Sequence, residues 1–237
     1  MQERQTVIDI RQLQFSWRND LPLVLDIDTL SIQRGERVFI KGASGSGKTT
    51  LLSLLAGVLT PRQGQLQVLG NNLAQMKAAA RDSFRADHIG FVFQMFNLLP
   101  YLSVLENVTL PLHFSARRRQ RIKHPMNEAK RLLSHLDLND PTLLARPVAE
   151  LSVGQQQRVA AARALIGSPE LLIADEPTSA LDADRREAFI RLLINECNDS
   201  NTTLLFVSHD QALQQHFDHT LSLGEINRAG THLQGEV

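Results

Sequence analysis

The sequence predicts an α/β protein in which a helical lobe interrupts a parallel sheet. Three observations carry this prediction. A short apolar strand at 37–40 leads into a glycine-rich turn and then a helix. Strand patterns give way to helical patterns after Gln94, and strands at 171–174 and 203–208 flank a helix at 184–196. The order strand, helix, strand is typical of parallel strands joined by a crossover helix.

The remaining elements follow from apolar periodicity and from turn residues. Strand patterns in the first part of the chain cover 7–17, 24–32, 65–69 and 89–93, and a helix pattern covers 48–58. Helix patterns in the middle part, separated by loops rich in Pro and Asn, cover 104–112, 126–136 and 153–165. We therefore expect residues 95–165 to form the inserted lobe.

Composition excludes several classes of protein. With 237 residues and 43% hydrophobic content, the chain can bury a large core and is not disordered. Lys plus Arg equals Asp plus Glu at 25 each, so no net charge favours nucleic acid or an anionic membrane. Cys197 is the single cysteine, which fits a reducing compartment, and we expect it to be a half-buried helix residue.

No segment has the pattern of a secretory signal or a membrane helix. Residues 1–5 are polar, and the longest apolar stretch, 51–59, is interrupted by Ser53 and Gly57. That stretch is shorter than the roughly 20 residues that span a bilayer. We expect the chain to stay in the cytoplasm and to reach a membrane only through a partner.

The segment between the strand at 37–40 and the following helix is a phosphate loop of the form G-x-x-x-x-G-K-[ST]. Glycines let backbone N–H groups approach phosphate oxygens, Lys48 supplies a cation, and Thr49 offers a hydroxyl to Mg²⁺. A flexible glycine turn is the alternative interpretation, and the strand before and the helix after disfavour it. The candidate phosphate-binding residues are Gly42, Ser44, Gly45, Ser46, Gly47, Lys48, Thr49 and Thr50.

Two adjacent carboxylates, Asp175 and Glu176, end the apolar run 171–174. The carboxyl end of a parallel strand places Asp175 beside the phosphate loop, where it can hold Mg²⁺, and Glu176 then faces an attacking water. Taken alone, such a pair equally often caps a turn. The phosphate loop favours the catalytic interpretation.

These motifs, with four others, resemble the ATP-binding cassette family over nearly the whole chain. The others are Gln94, the segment Leu151-Ser152-Val153-Gly154-Gln155, the segment Ser179-Ala180-Leu181-Asp182, and His209. The resemblance implies one nucleotide-binding domain over 1–237, an ATPase that uses ATP and Mg²⁺. It also implies a mixed sheet core with an antiparallel β subdomain, built from 1–94 and 166–237, with 95–165 as the helical lobe.

The resemblance further implies that two cassettes, expected to be identical copies, dimerise head to tail. Ser152, Gly154 and Gln155 of one chain would then contact the γ-phosphate bound to the other. The residues agree with this role, because Ser152 and Gln155 form an S-x-x-Q capping box at a helix start. The family usually has glycine where Val153 stands, and we expect this bulk to slow or tune closure of the dimer.

Other roles are carried over residue by residue from the resemblance. Gln94 would contact Mg²⁺ or the attacking water, and His209 would hydrogen-bond the γ-phosphate and position Glu176. Asp182 would cross the dimer interface. Adenine requires a flat partner before the phosphate loop, and Trp17 is favoured over Phe15.

The lobe resembles that of cassettes serving lipoprotein release, macrolide export and cell division, on residues 96–100, 104–108 and Pro111. This implies an ATPase on the cytoplasmic face of the inner membrane, held by integral-membrane permease subunits and driving export or mechanotransmission. Because the sequence ends soon after His209, we also expect no added regulatory domain of the kind that many importer cassettes carry. An apolar groove on the lobe would receive a coupling helix of the permease.

Alternatives remain open at this stage. They are an importer ATPase and a cassette outside transport that uses ATP as a switch; the coiled-coil or zinc insertions of DNA-repair relatives are not present. The basic segment 117–123 is interpreted as a solvated face, with lipid headgroups or the permease as alternative partners. The run 216–219 contains two histidines but no third convergent ligand, and we interpret it as helix surface.

Overall fold

The computed structural model describes residues 5–179 and 181–229. Ala180 of the Ser-Ala-Leu-Asp motif and four of the five polar residues at the start of the chain lie outside the described residues. Within the described ranges, no helix has both the length and the apolar character needed to cross a bilayer.

Nine strands within these ranges form two sheets. They are β1 Thr6–Phe15, β2 Leu25–Gln33, β3 Arg37–Lys41, β4 Gln63–Val68, β5 Asn71–Asn72, β6 Ile89–Val92, β7 Leu171–Asp175, β8 Thr203–Val207 and β9 His219–Ser222. The first sheet is antiparallel in the order β2-β1-β4-β5, and the second has the order β6-β7-β8-β3-β9. All described pairs of the second sheet are parallel, which confirms the predicted strand-helix-strand return. Antiparallel and parallel strand pairs therefore both occur, but in separate sheets.

The α-helices of the described ranges are α1 Lys48–Leu55, α2 Ala78–His88, α3 Val104–Thr109, α4 Pro111–Phe114, α5 Ala116–Gln120, α6 Pro125–His135, α7 Val153–Leu165, α8 Ala183–Asp199 and α9 Leu223–Ile226. The helix predicted over 104–112 is divided, because Pro111 has no N–H to donate and begins α4. Sequence patterning missed α2, whose only buried residue is Phe84. A helix with so little buried surface leaves a weak apolar period.

The core lies on both faces of the parallel sheet. In β8, Leu204 and Phe206 pack with the lobe helices, whereas Leu205 and Val207 pack with α1 and the antiparallel sheet. This alternation follows from the two-residue period of a strand. Because each face of β8 is covered, its five residues are all buried and read as one apolar run.

Two minor predictions are wrong. Cys197 is fully buried, not half-buried, and burial raises the pKa of its thiol. The run 216–219 is not helix surface, because it leaves a 3₁₀ turn and enters β9 at His219. The ring of Phe217 lies 5.2 Å from that of Phe206, and the Asp218 carboxylate accepts a hydrogen bond from Arg37 Nε at 3.0 Å.

The basic segment is exposed at Arg117, Arg119, Arg121 and Lys123, as predicted for a solvated face, but Arg118 departs from that prediction. Arg118 is 2% exposed and donates to the carbonyl oxygen of Ala164 at 3.4 Å. Arg117 and Arg121 donate from their Nη2 atoms to Glu170, at 2.6 and 2.7 Å. Arg117 of α5 and Arg121, the residue after α5, therefore connect this part of the chain to Glu170, which directly precedes β7.

Candidate active site

The phosphate loop joins the end of β3 to the start of α1. Gly45 and Gly47 have φ angles of 77° and 97°, the left-handed region that side chains disfavour. A Cβ on Gly47 would also lie 2.8 Å from Cδ2 of Leu25. Both the backbone turn and the close approach to β2 therefore require glycine at this position.

The loop concentrates positive charge at the start of α1. The helix begins at Lys48 and has no acidic residue in its first turn, so its free N–H groups and dipole favour an anion. Lys48 Nζ donates to the carbonyl oxygens of Gly42 and Ala43, at 2.8 and 2.9 Å. The ammonium group therefore lies within the loop, at the position a bound phosphate chain needs.

The strand β7 delivers Asp175 to the same place. Its Oδ2 lies 3.5 Å from Oγ1 of Thr49, the residue that follows the loop lysine. Burial raises the pKa of Asp175, and the neighbouring carboxylate of Glu176 raises it further. A carboxylate held in an environment that disfavours its charge is a candidate for binding a cation.

Glu176 adopts an unusual backbone conformation that directs it away from the strand. Its φ of 46° lies in the left-handed region, and its N–H donates to the carbonyl oxygen of Val207 at 3.0 Å. Its side-chain Oε1 lies 3.1 Å from Nδ1 of His209. Backbone strain of this kind concentrates at functional sites.

One cavity of about 760 Å³ gathers most of the predicted site residues. Those that line it are Trp17, Gly42, Ser44, Gly45, Gly47, Lys48, Thr49, Thr50, Gln94, Asp175, Glu176 and His209. Ser46 is not among the lining residues. Val24 and Ala43 also line the cavity and were not predicted; Ala43 could have been found as a variable position of the loop motif, whereas nothing in the sequence marks Val24.

Trp17 lies two residues after the end of β1, and its flat ring forms part of the cavity wall. Its side chain is 60% exposed, which is unusual for an indole. The ring of Phe15 contacts it edge to face, with ring centroids 5.4 Å apart and planes at 81°. Phe15 is itself buried, so it supports the indole from the core side while leaving Trp17 open.

Besides Ser46, four predicted site residues do not line the cavity. Ser152 and Gln155 form the predicted capping box at the start of α7, with backbone N to side-chain oxygen distances of 2.9 and 3.3 Å. Gly154 lies within this first turn, and the intervening Val153 is 50% exposed. Asp182 caps α8 by accepting a hydrogen bond from the N–H of Arg185 at 2.9 Å. In a single chain these four residues stand apart from the phosphate loop.

The oxygen donors at the cavity fit a hard cation. The hydroxyl of Thr49, the carboxylate of Asp175 and the amide of Gln94 all line it. Mg²⁺ prefers oxygen ligands and takes few from the protein when phosphate supplies others. Residues 5–179 and 181–229 contain no group of three or more His, Cys, Asp or Glu arranged to hold a metal alone.

Comparison with known proteins agrees with this geometry. The family model described as ABC transporter matches residues 25–179. The chain is 39% identical over 222 residues to the uncharacterised ABC transporter ATP-binding protein YbbA of Escherichia coli K12, covering 92% of this chain and 95% of YbbA. It is 40% identical over 202 residues to the lipoprotein-releasing system ATP-binding protein LolD of Chromohalobacter salexigens, covering 85% of this chain and 83% of LolD.

Solved structures show the same fold. The dimeric ATP-binding cassette MJ0796, in a post-hydrolysis state bound to ADP and Pi, superimposes with a TM-score of 0.78. It is 32% identical in sequence, and the match covers 92% of this chain and 95% of MJ0796. The chain belongs to the ABC transporter family, as an ATP-binding cassette ATPase.

Proposed function

We propose that the chain hydrolyses MgATP in this cavity as one half of a composite site that a second copy completes. The observation that carries the proposal is the convergence of Lys48, Asp175, Glu176 and His209 on one cavity while the capping box of α7 lies outside it. The chain acts as a single nucleotide-binding domain, with 95–165 as the lobe that carries the capping box.

The residues of the cavity divide the work of phosphoryl transfer. Lys48 binds phosphate oxygens from within the loop, and Thr49, Asp175 and Gln94 would hold Mg²⁺, which neutralises the triphosphate charge when bound. Glu176 orients the attacking water and accepts its proton. His209, 3.1 Å from that carboxylate, keeps it oriented and donates toward the γ-phosphate.

The second copy supplies what one chain lacks. Ser152 and Gly154 present the N-terminus of a 13-residue helix, whose dipole and free N–H groups suit an anion. The side-chain oxygen of Gln155 is occupied by the N–H of Ser152, so Gln155 acts by shaping this helix start. Exposed Val153 and Asp182 then lie at the contact between the copies. The dimeric state of MJ0796 supports this arrangement.

An apolar groove supports a permease as the membrane partner. The groove has a volume of about 450 Å³ and lies where α2, β6, α4 and α5 meet. Phe91, Phe93, Leu110 and Phe114 supply apolar surface, and Phe114 is 72% exposed. Exposed aromatic side chains around a concave apolar surface are typical of sites that accept a helix from another protein.

A photo-crosslinking experiment tests this partner. Phe114 is replaced by p-benzoylphenylalanine, and adducts formed in native membranes are identified by mass spectrometry. We expect an adduct with a cytoplasmic segment of an integral-membrane protein. The matched control places the same group at Leu21, which is 41% exposed and does not line the groove, and gives no such adduct. Adducts only with cytosolic proteins, ribosomes or chromosomal proteins would contradict a permease.

The direction of transport is proposed from the relatives. The likeness to LolD, a lipoprotein-releasing system protein, favours export or mechanotransmission over import. The chain would therefore work on the cytoplasmic face of the inner membrane, held there by its permease. If membranes that contain the permease identified by crosslinking stimulate ATP turnover, the chain works as a transport motor. A cassette that only switches on ATP binding would show no such stimulation.

A further inference from the structure

Asn227, directly after α9, contacts three backbone segments with its side chain. Its Nδ2 donates to the carbonyl oxygens of Val24 at 2.9 Å and Ser46 at 3.2 Å. Its Oδ1 accepts from the N–H groups of Asp26 at 2.8 Å and Ala229 at 3.2 Å. An amide side chain has two N–H donors and an oxygen with two lone pairs, so all four positions are used.

Two of these contacts join the phosphate loop to the residue that precedes β2. Ser46 belongs to the phosphate loop and directly precedes Gly47. Val24 lines the cavity, and its N–H donates to the carbonyl oxygen of Phe15 at 2.8 Å. Phe15 in turn supports the ring of Trp17. One side chain therefore joins the phosphate side of the cavity to its aromatic side.

The phosphate loop and the start of β2 are so close together that the distance between them can change little. A Cβ on Gly47 would lie 2.8 Å from Cδ2 of Leu25 and 3.3 Å from the carbonyl oxygen of Val24. The loop therefore crosses the start of β2 in van der Waals contact. Asn227 is half-buried beside this crossing, where its hydrogen bonds are partly shielded from water.

We propose that Asn227 is a positioning residue for nucleotide binding, because it fixes the distance between the phosphate loop and the aromatic wall. A ligand that spans both sides depends on this distance, whereas a ligand that occupies the loop alone does not. The proposal rests on the proposed stacking of the base on Trp17.

Asn227→Asp tests the proposal in the full chain, because it keeps the acceptor for Asp26 and Ala229 and removes the donors to Val24 and Ser46. We expect the Kd for ATP to rise about 5- to 10-fold, as for two lost hydrogen bonds. We expect the Kd for tripolyphosphate to rise less than the Kd for ATP, because tripolyphosphate occupies the loop alone, where Lys48 still bonds the carbonyl oxygens of Gly42 and Ala43. The added carboxylate repels both anions, so the difference between the two ligands is the quantity that tests the proposal. KM for ATP should rise while kcat at saturation is nearly unchanged.

Two comparison variants separate this role from a structural one. Asn71→Asp removes a donor of the same kind, which bonds the carbonyl oxygen of Leu69 at 2.9 Å on the antiparallel sheet, and should change neither affinity. Trp17→Ala should weaken ATP and spare tripolyphosphate. If Trp17→Ala has no effect, the proposed base site is wrong; if Trp17→Ala acts and Asn227→Asp does not, the role of Asn227 is wrong.

Equal losses of ATP and tripolyphosphate affinity in Asn227→Asp would also overturn the proposal. Should that variant not fold, the parent protein provides the test by amide hydrogen exchange. We expect ATP to slow exchange of the Asp26 N–H, which bonds Asn227, more than tripolyphosphate does. Equal exchange rates with the two ligands would contradict the proposal.

Discussion

Nδ1 of His209 lies 3.1 Å from Oε1 of Glu176, so a residue two positions after β8 contacts the residue directly after β7, and both line the nucleotide cavity. Glu176 reaches this position through a left-handed backbone turn, with φ at 46°. The contact orients the carboxylate expected to act as the base. The loops after two neighbouring parallel strands thereby supply the two residues of the proposed catalytic pair.

Glu176→Gln tests the role of this carboxylate. The amide keeps the shape of the side chain but cannot accept a proton from water. We expect ATP hydrolysis to fall about 100- to 10,000-fold, the usual contribution of a general base. The Kd for ATP, measured by calorimetry, should remain near that of the parent, and hydrolysis at the parent rate would show that Glu176 is not the base.

His209→Ala provides the companion measurement in the same assay. If His209 acts by orienting Glu176, its loss should add little once Glu176 is already Gln, because residues that act as one unit are not additive. A double variant whose loss equals the product of the two single losses would mean that the two residues act independently.

Fluorescence of Trp17 tests the proposed base site, because Trp17 is the only tryptophan in the chain. Stacking of adenine on the exposed indole should quench its fluorescence. Trp17→Ala should raise the Kd for ATP about 3- to 10-fold, and Trp17→Phe should retain most of the affinity, as expected for one aromatic contact. Unchanged fluorescence on saturation with ATP would place the base elsewhere.

Asp175 should reduce the stability of the protein without nucleotide. Burial, and then the charge of Glu176, raise the pKa of Asp175, so its ionised form is disfavoured in the folded state. Asp175→Asn should therefore raise Tm at pH 7.5 by about 2–4 °C for each kcal/mol relieved. The gain should shrink as the pH falls through the raised pKa, because the parent carboxylate then becomes neutral too.

Thermal unfolding with and without MgATP separates the destabilising effect of the Asp175 charge from the proposed role of Asp175 in binding Mg²⁺. The Tm of the parent should rise on addition of MgATP, and Asp175→Asn should lose most of that rise because a neutral amide replaces the carboxylate proposed to hold Mg²⁺. An Asn variant less stable than the parent at pH 7.5 without nucleotide would show that the carboxylate is structural.

We expect Glu170 to stabilise the fold and to take no part in catalysis. Burial alone would raise the pKa of Glu170, but hydrogen bonds from His88, Arg117 and Arg121 together hold it well below its usual range. A lowered pKa means that the stabilisation is present above the unfolded value of about 4.3 and is lost only as pH falls through the lower folded value. Glu170→Gln should destabilise the protein by about 1–3 kcal/mol at pH 7.

Urea unfolding at pH 7 and at pH 4.5 measures this effect. The parent should keep most of its advantage over Glu170→Gln at the lower pH, because the folded carboxylate is still ionised there. Glu150→Gln, at an exposed position of the helical lobe, makes the same change of side chain without these contacts and should change stability little. Equal stability of the parent and Glu170→Gln at pH 7 would contradict the role of the arginine contacts.

Most of the fold could be predicted from local patterns. The helix α7 was predicted with its observed bounds because its capping residues mark the start and apolar residues continue to Leu165. The strands β7 and β8 were recognisable because both faces are buried and the runs are apolar throughout. By contrast, α5 was missed because its arginines have the composition of a solvated surface.

The site residues that sequence could predict lie in contiguous motifs or follow apolar strands. Arg118 was misjudged because its burial depends on carbonyl oxygens of the distant Ala164 and Ile166, which no local pattern reveals. Val24 and Asn227 were missed for the same reason, since they are 203 positions apart and meet only in the fold. Long-range contacts of single side chains leave no periodic signal.

If the site is complete only between two copies, ATP should join two chains of the variant Glu176→Gln, and sedimentation measures this. With ATP this variant should sediment at twice the 26.5 kDa chain mass, and with ADP as a single chain. Adding Gly154→Asp, which places a carboxylate where the γ-phosphate must approach, should restore the single chain in ATP while nucleotide binding persists. A Glu176→Gln protein that remains a single chain at saturating ATP would contradict the account.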